Sequence, residues 1–388
     1  MKSRYIWKLF LYLVPFFNIL NYRIGENFSL LIIVLFLMIY IMIAKNRRIL
    51  SKDEMALLKF SVACLLVVLI DFAFSAIFNI GNFASIRFFS LFFFIVPVFL
   101  VKGEPMSFVE NNLLFYLKSL IILISCSIII DYLFLLVGMS NLQPMYDVEK
   151  YSYLDRPFGL FGQPSVNSCI LCFCYLFYLA LQGSLGNKDK NRWLLLLFVV
   201  VGVVMQGSGS GYISLFLLLF SILIRNKNGR IRWGGILLIV LVFIPIVYHI
   251  ITSNVVGKIS LDYISFLIAF FYDDLIIPYL KMANSYDKIL FGIPDFPLSI
   301  DFGPLYILGT VGLFFLLFIV SFTLYLLFKT NNFNMKMGII ILLVGNLHYP
   351  VMFYLVMHFL WFFILYYIIV IDKRCKKKCL SKFNYHVS

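Results

Sequence analysis

Arg156 is the residue whose type and surroundings most clearly suggest chemistry. It lies in a segment, 156–167, that mixes aromatic residues with turn formers directly before an apolar run. A guanidinium can bind an oxyanion through two parallel hydrogen bonds, so Arg156 is the leading candidate for an anion contact. The alternative is a loop anchor in which Arg156 pairs with Asp155 or Asp147.

Two further cations could contribute to such a contact. Arg87 lies near the end of an apolar run, where a charge is costly unless it is paired or functional. Its alternative role is to neutralise Asp71 in an architectural ion pair. Lys281 could supply a second anion contact, or it could be a solvated loop lysine.

Three residues are candidates for accepting a proton: Asp295, Asp301 and His348. A histidine has an unperturbed pKa of about 6.5, which suits a base. Asp301 could instead cap a helix, because Gly303-Pro304 follows it. His348 could equally be a hydrogen-bonded residue of a turn at the membrane interface.

Known motifs for metals, nucleotides and disulfides do not occur in the sequence. There is no P-loop, dinucleotide fingerprint or zincin motif. Asp273 and Asp274 have no identifiable third ligand, and Cys375 and Cys379 lie in a lysine-rich tail with only His386 nearby. We therefore expect no metal, no cofactor and no disulfide framework.

The composition requires that these residues be positioned by a membrane protein. The chain has 388 residues, of which 63% are hydrophobic and 13% charged, with a net charge of +14. Soluble domains have about 25% charged residues. A water-soluble enzyme, a disordered protein and a nucleic-acid binder are excluded, and we expect an all-α polytopic membrane protein with a single domain, 1–388.

The apolar runs predict about 12 transmembrane helices, because a helix needs about 20 apolar residues to cross a bilayer core of roughly 30 Å. Two stretches, 193–224 and 337–371, are too long for one crossing and are predicted to break at 206–211 and 346–350. The predicted spans are 8–22, 28–44, 58–78, 83–101, 113–139, 164–183, 193–207, 210–224, 233–251, 303–328, 337–348 and 350–371.

The distribution of basic residues predicts the orientation. With both termini in the cytoplasm, 25 of the 32 lysines and arginines fall on the inner side. The basic tail 372–388 is then cytoplasmic, and two long loops, about 140–163 and 252–302, face outward. Long loops on a helical scaffold are where function concentrates.

Several motifs, in these loops, at a helix break and in the helices that follow, resemble those of a known family. They are Arg156 to Gly159 leading to Gln163 and Asn167, the glycine- and serine-rich break at 206–211, and Phe291-Gly292 followed by Asp295, Asp301 and the Gly309-x-x-Gly312 pair. With the span count and the loops, they resemble the O-antigen polymerase and ligase superfamily (Wzy-type) of bacterial polysaccharide assembly. The sequence departs from the family's pattern in having no arginine in the second loop, where Lys281 is the nearest basic residue, and no serine-arginine pair at the break.

The resemblance implies an O-antigen polymerase, a multi-pass membrane glycosyltransferase of the bacterial inner membrane with periplasmic loops. It would join undecaprenyl-diphosphate-linked oligosaccharide repeat units into O-antigen or capsular polysaccharide. Arg156, Arg87, Lys281, Gly159, Gln163 and Asn167 would bind substrate, and Asp295, Asp301 or His348 would act as the base. Its partners would be the lipid-linked oligosaccharide, membrane lipids and a chain-length regulator protein, with no nucleic acid.

Two alternatives stay open. An O-antigen ligase would present the same cationic clamp, but the family's ligases have a histidine in the large outer loop, and none lies between residues 252 and 302. A flippase or transporter of the same lipid-linked oligosaccharide would also suit twelve spans. Such transporters line a central cavity with charges and show related halves, whereas the charges here lie in outer loops.

Overall fold

The computed structural model of the chain is predominantly helical in the part that it describes. The described residues are 50–77, 106–139, 156–186, 189–223, 268–293, 302–353 and 355–375, with shorter pieces at 8–9, 12–16, 19, 142, 244, 265 and 296. No strand occurs within these ranges. The predicted all-α class is therefore confirmed for the described residues.

Ten α-helices form the described part of the chain. They are α1 Lys52–Ile77, α2 Met106–Leu136, α3 Pro164–Leu185, α4 Arg192–Gln206, α5 Gly209–Leu223, α6 Ile277–Met282, α7 Tyr286–Phe291, α8 Gly303–Lys329, α9 Phe333–His348 and α10 Leu355–Tyr366. A π-helical segment, Phe270–Ile276, precedes α6, and another, Tyr367–Asp372, continues α10. Short 3₁₀ turns lie at Val14–Phe16 and Val351–Phe353.

Four of these helices, α1, α2, α3 and α8, are long and apolar enough to cross a membrane. Where a predicted span overlaps a described helix, many of the predicted ends lie within a few residues of the observed helix ends. The predictions for 28–44, 83–101 and the tail from 376 onward lie outside the described residues, and of 233–251 only residue 244 is described. The total number of spans and the orientation stay predictions.

Both predicted breaks in the long apolar stretches are confirmed. α4 ends at Gln206, and Gly207 caps it in the left-handed conformation, with φ of 58°, before α5 begins. Glycine tolerates this conformation because it has no Cβ. The second break follows His348, where α9 ends and the 3₁₀ turn Val351–Phe353 leads toward α10.

Helix α3 is the centre of the bundle. About 78% of its most apolar window is buried inside the protein, against 28–39% for the other three long helices. It packs against α2, α4, α5 and α9. α3 is also the least apolar of the four, and its polar side chains Asn167, Ser168 and Gln182 are covered by the neighbouring helices. α1, α2 and α8 leave a larger share of their surface exposed, as expected of helices that contact lipid.

Ion pairs and hydrogen bonds tie the helices together at one end of the bundle. Lys373 Nζ lies 2.8 Å from Asp53 Oδ1, and Arg374 Nη1 lies 2.9 Å from Glu110 Oε1. The backbone N–H of Asn331 donates to Asp372 at 2.7 Å. All of these residues fall on or next to the segments that the basic-residue distribution assigned to the cytoplasmic side.

A fourth contact at this end surrounds Asp189, in the turn between α3 and α4. The Lys118 ammonium of α2 and the Tyr178 hydroxyl of α3 both contact Asp189 Oδ2, the hydroxyl at 2.7 Å. The backbone N–H of Asn191 donates to the other oxygen at 2.9 Å. These hydrogen bonds, led by that from Lys118, lower the pKa of the Asp189 carboxyl from 3.8 to about 2.

The Asp189 contacts predict an acid-sensitive part of the stability. Because the folded-state pKa lies below the unfolded value, the stabilisation is complete above pH of about 4 and is lost as the pH falls toward 2. We expect Asp189→Asn to lower the thermal midpoint of the detergent-solubilised protein by a few degrees at neutral pH. The variant should also show a smaller fall in thermal midpoint between pH 4 and pH 2 than the unmodified protein, as measured by scanning fluorimetry from pH 7 to 2.

The control is Asp273→Asn, which removes an exposed carboxylate. It should leave the pH profile unchanged. An acid-induced loss of equal size in Asp189→Asn and the unmodified protein would contradict the assignment.

Candidate functional site

A buried carboxylate, Asp131, holds the segment after Arg156 against the bundle. Asp131 lies near the end of α2 and is fully buried. Its Oδ2 accepts hydrogen bonds from the backbone N–H groups of Phe158 at 3.1 Å and Gly159 at 2.7 Å. Its Oδ1 accepts one from the N–H of Leu142 at 2.6 Å. One side chain therefore binds both the chain leaving α2 and the chain approaching α3.

Asn167 in the first turn of α3 holds the same segment from the other side. Its Nδ2 donates to the carbonyl oxygens of Phe158 at 2.5 Å and Gln163 at 2.8 Å, and its Oδ1 accepts from the N–H of Phe161 at 3.2 Å. Asn167 is fully buried, and each atom of its amide has a backbone partner. The structure therefore gives it the role of shaping the loop, whereas its predicted contact with substrate stays a prediction.

Gly159 is needed where these two residues meet. Its φ is 65°, and a Cβ there would approach Ile128 Cγ1 to 2.9 Å and Asn167 Nδ2 to 3.2 Å. Only glycine fits this combination of a left-handed backbone and close packing. The predicted roles of Gly159 and Gln163 in substrate binding are untested, and both residues contribute backbone groups to the fixed loop.

The fixed loop determines where Arg156 lies. Arg156 is half-buried and comes two residues before Phe158, whose backbone N–H donates to Asp131. The side chains of Phe158, Leu160 and Phe161 are buried beneath the loop. A guanidinium on such a loop is positioned before any ligand arrives, which reduces the ordering cost of binding an anion.

A cluster of hydroxyl and amide groups lies beside this loop, where α3 meets the break between α4 and α5. Ser208 Oγ donates to Ser165 Oγ at 3.1 Å, and Ser168 Oγ donates to Gln206 Oε1 at 2.8 Å. Gln206 is fully buried, and among the described residues its Nε2 has no hydrogen-bond partner. The cluster therefore contains one buried amide donor without a partner among the described residues.

The turn after α9 joins the same end of the bundle. A Cβ at Gly345 would approach Cys169 Sγ of α3 to 3.0 Å, and a Cβ at Gly303 would collide with the carbonyl oxygen of Asn346. His348 ends α9 and is exposed, with its ring 4.5 Å from that of Tyr349. The candidate base at His348 therefore lies on the end of the bundle that carries the Arg156 loop.

Three glycines bring the segment around Phe291 against α8. The N–H of Ile293 donates to the carbonyl oxygen of Gly309 at 2.7 Å. Gly292 has φ of 100° and Gly312 has φ of 84°, and a Cβ on either would collide with backbone of the other segment. The motif pieces that the sequence singled out, Phe291-Gly292 and Gly309-x-x-Gly312, are therefore packed on each other.

The remaining predicted site residues are distributed as follows. Lys281 is exposed on α6, and no described contact brings it to the Arg156 loop. Arg87, Asp295 and Asp301 lie outside the described residues. No group of three or more potential metal ligands occurs in the part of the chain that the structure describes.

The sequence analysis did not identify two residues, Asp131 and Gln206, as parts of the site. Asp131 could be recognised only as a costly charge within an apolar run, because its partners are backbone N–H groups that carry no sequence signal. Gln206 was assigned only to a helix break, although a glutamine at the end of an apolar helix next to serines is itself a polar signal. Comparisons with family models, curated proteins and solved structures found no match to this chain.

The glycine packing predicts that Gly312 cannot carry a side chain. We expect Gly312→Ala to destabilise the protein by about 1–3 kcal/mol, because alanine would be strained at positive φ and would collide with the backbone of Leu290. The thermal midpoint of the purified protein measures this. Gly183→Ala is the control, since Gly183 is helical and a Cβ there meets nothing within 4 Å. Equal stability of the two variants would contradict the packing.

The hydrogen bonds of Asp131 predict that its charge holds the loop. We expect Asp131→Asn to lower the free energy of unfolding by roughly 3 kcal/mol, because an amide offers one acceptor oxygen to three buried N–H groups. The loop should also become accessible, measured as faster maleimide labelling of a cysteine introduced at Leu160. Ser127→Ala, which removes a hydroxyl of the same helix, is the control. Unchanged labelling in Asp131→Asn would overturn this role.

Proposed function

We propose that this protein is a membrane glycosyltransferase that polymerises undecaprenyl-diphosphate-linked oligosaccharide repeat units at the outer face of the bacterial inner membrane. The observation that carries the proposal is the Arg156 loop, because Asp131 and Asn167 fix the backbone directly after the guanidinium. The membrane-length helices support a lipid-linked substrate. The sequence resemblance to the polymerase and ligase superfamily supplies the substrate class.

The proposed reaction needs few groups, because the donor sugar is already activated. The acceptor hydroxyl attacks the anomeric carbon of the growing chain, and the bond between that carbon and the diphosphate oxygen breaks. The electron pair leaves with the undecaprenyl diphosphate, and the hydroxyl proton passes to a base. Arg156 stabilises the negative charge that develops on the leaving diphosphate.

One of three candidate residues, His348, Asp295 or Asp301, acts as the base in the proposed reaction. His348 supports this step best among the described residues, because it is exposed at the end of the bundle that carries the Arg156 loop. A neutral imidazole can take the proton near neutral pH. Asp295 and Asp301 stay proposed alternatives, and Lys281 and Arg87 stay proposed second contacts to the diphosphate.

The polysaccharide of a deletion strain tests the reaction. Loss of a polymerase leaves one repeat unit on the lipid A core, seen as a single short band on a gel. Loss of a ligase strands long chains on the lipid carrier, and loss of a flippase leaves single units facing the cytoplasm. Either of the last two results would overturn the proposal in favour of that alternative.

Arg156 variants in the complemented deletion strain test the site. We expect Arg156→Ala to abolish long polymer while the protein inserts normally, because the leaving diphosphate loses its cation. Arg156→Lys should retain only a minor part, on the order of 1–10%, because an ammonium lacks the two-pronged contact. Gel profiles and membrane immunoblots are the measurements.

Lys288→Ala is the matched control, because Lys288 is a basic residue of a predicted outer loop whose ammonium bonds Asn284. It should produce polymer of normal length. Polymer of normal length from Arg156→Ala would remove Arg156 from the site.

A further inference from the structure

The turn between α3 and α4 concentrates positive charge at the end of the bundle opposite the Arg156 loop. α3 has 22 residues and separates the two by about 33 Å at 1.5 Å per residue, close to the thickness of a bilayer core. The turn contains Asp189 and Lys190, Arg192 is the first residue of α4, and Lys118 of α2 contacts Asp189. Three cations therefore share one described carboxylate.

That carboxylate is already bound to its neighbours. Asp189 contacts Lys118 and accepts hydrogen bonds from the Tyr178 hydroxyl and the Asn191 N–H. Lys190 and Arg192 are exposed and form no ion pair with any described residue. The charges of Lys190 and Arg192 are consequently available to a mobile anion.

The surface next to these cations is apolar and aromatic. The Arg192 guanidinium lies 5.0 Å from the centre of the Trp193 ring, and Trp193 is 52% exposed. Leu194 and Leu197 follow on α4, at 54% and 57% exposure. Tryptophan is favoured at membrane interfaces, and α4 is a short apolar helix whose exposed leucines are suited to contact acyl chains. Cations, interfacial tryptophan and leucines thus follow one another in the order in which a phospholipid presents phosphate, glycerol and chain.

We propose that this turn binds the headgroup of an anionic phospholipid. Lys190 and Arg192 contact the phosphate, Trp193 lies at the glycerol level, and Leu194 and Leu197 contact the acyl chain. A zwitterionic lipid carries a compensating positive charge and gains less from two cations, so the surface selects net negative headgroups. This inference concerns the end of the protein opposite the proposed catalytic site and does not depend on the proposed function.

Native mass spectrometry of the purified full-length protein tests the proposal, with phosphatidylglycerol titrated against phosphatidylcholine. We expect phosphatidylglycerol to bind preferentially and to raise the thermal midpoint. In the double variant Lys190→Gln/Arg192→Gln the affinity for phosphatidylglycerol should fall roughly 30-fold. Each lysine or arginine near an anionic lipid surface contributes about 1 kcal/mol to the binding free energy, and two such losses correspond to this factor. The single variant Lys190→Gln should lie between, and it keeps the test informative if the double variant folds poorly.

The matched control is Lys52→Gln/Lys59→Gln, which removes the same charge from exposed lysines of α1 at the same end of the bundle. It should bind phosphatidylglycerol as the unmodified protein does. Equal losses in both double variants would overturn the proposal, because they indicate diffuse charge attraction. So would unchanged binding after the Lys190 and Arg192 substitutions. Equal stabilisation by inorganic phosphate would also overturn it, in favour of a soluble anion.

Discussion

The described structure depends on one constraint: a carboxylate buried in an apolar bundle needs hydrogen-bond donors that replace the water it has lost. Asp131 meets this constraint by accepting three backbone N–H groups, from Leu142, Phe158 and Gly159. Such bonds to a charged acceptor are strong, and their loss would leave a charge in a medium that cannot solvate it. The cost of burying the carboxylate therefore fixes a loop that has little regular structure of its own. Asn167 completes the same arrangement with an uncharged amide.

The two ends of the bundle use polar groups differently. At the end with the Arg156 loop, the described hydrogen bonds of Asp131, Asn167 and the serine cluster join neutral groups to one another or backbone N–H groups to one carboxylate. At the opposite end, three ion pairs join α1, α2, the α3–α4 turn and the end of the α10 segment. Charges that are paired in this way stabilise the arrangement of the helices, while cations such as Lys190 and Arg192 are available to lipid.

The sequence allowed the helices to be predicted better than the site. Apolar length placed α2, α3 and α8 to within a few residues at most of their ends, and glycine with serine located the break at Gly207, because both signals act locally. The hydrogen bonds that shape the site join the side chain of Asp131 to the backbone N–H of Gly159, 28 residues later in the chain. Every residue type except proline offers such an N–H, so the residue types give no sign of this bond. The pattern of residue types therefore identified Arg156 as a candidate but could not identify its support. Gly292 and Gly312 likewise have no room for a side chain because each packs against the backbone of the other's segment. This contact depends on how the two segments pack and cannot be read from either segment alone.

The burial of α3 has a consequence for how the protein is made. α3 is the least apolar of the four membrane-length helices and has the smallest share of its surface left for lipid. Alone in a bilayer it would expose Ser168, Asn167 and Gln182 to hydrocarbon, so it gains its full stability only when neighbouring helices cover it. One of these neighbours, α9, begins at Phe333, nearly 150 residues later in synthesis than the end of α3 at Leu185. Until α9 and the segments after it have been synthesised, only α2, α4 and α5 among the described neighbours can cover α3 in the nascent chain.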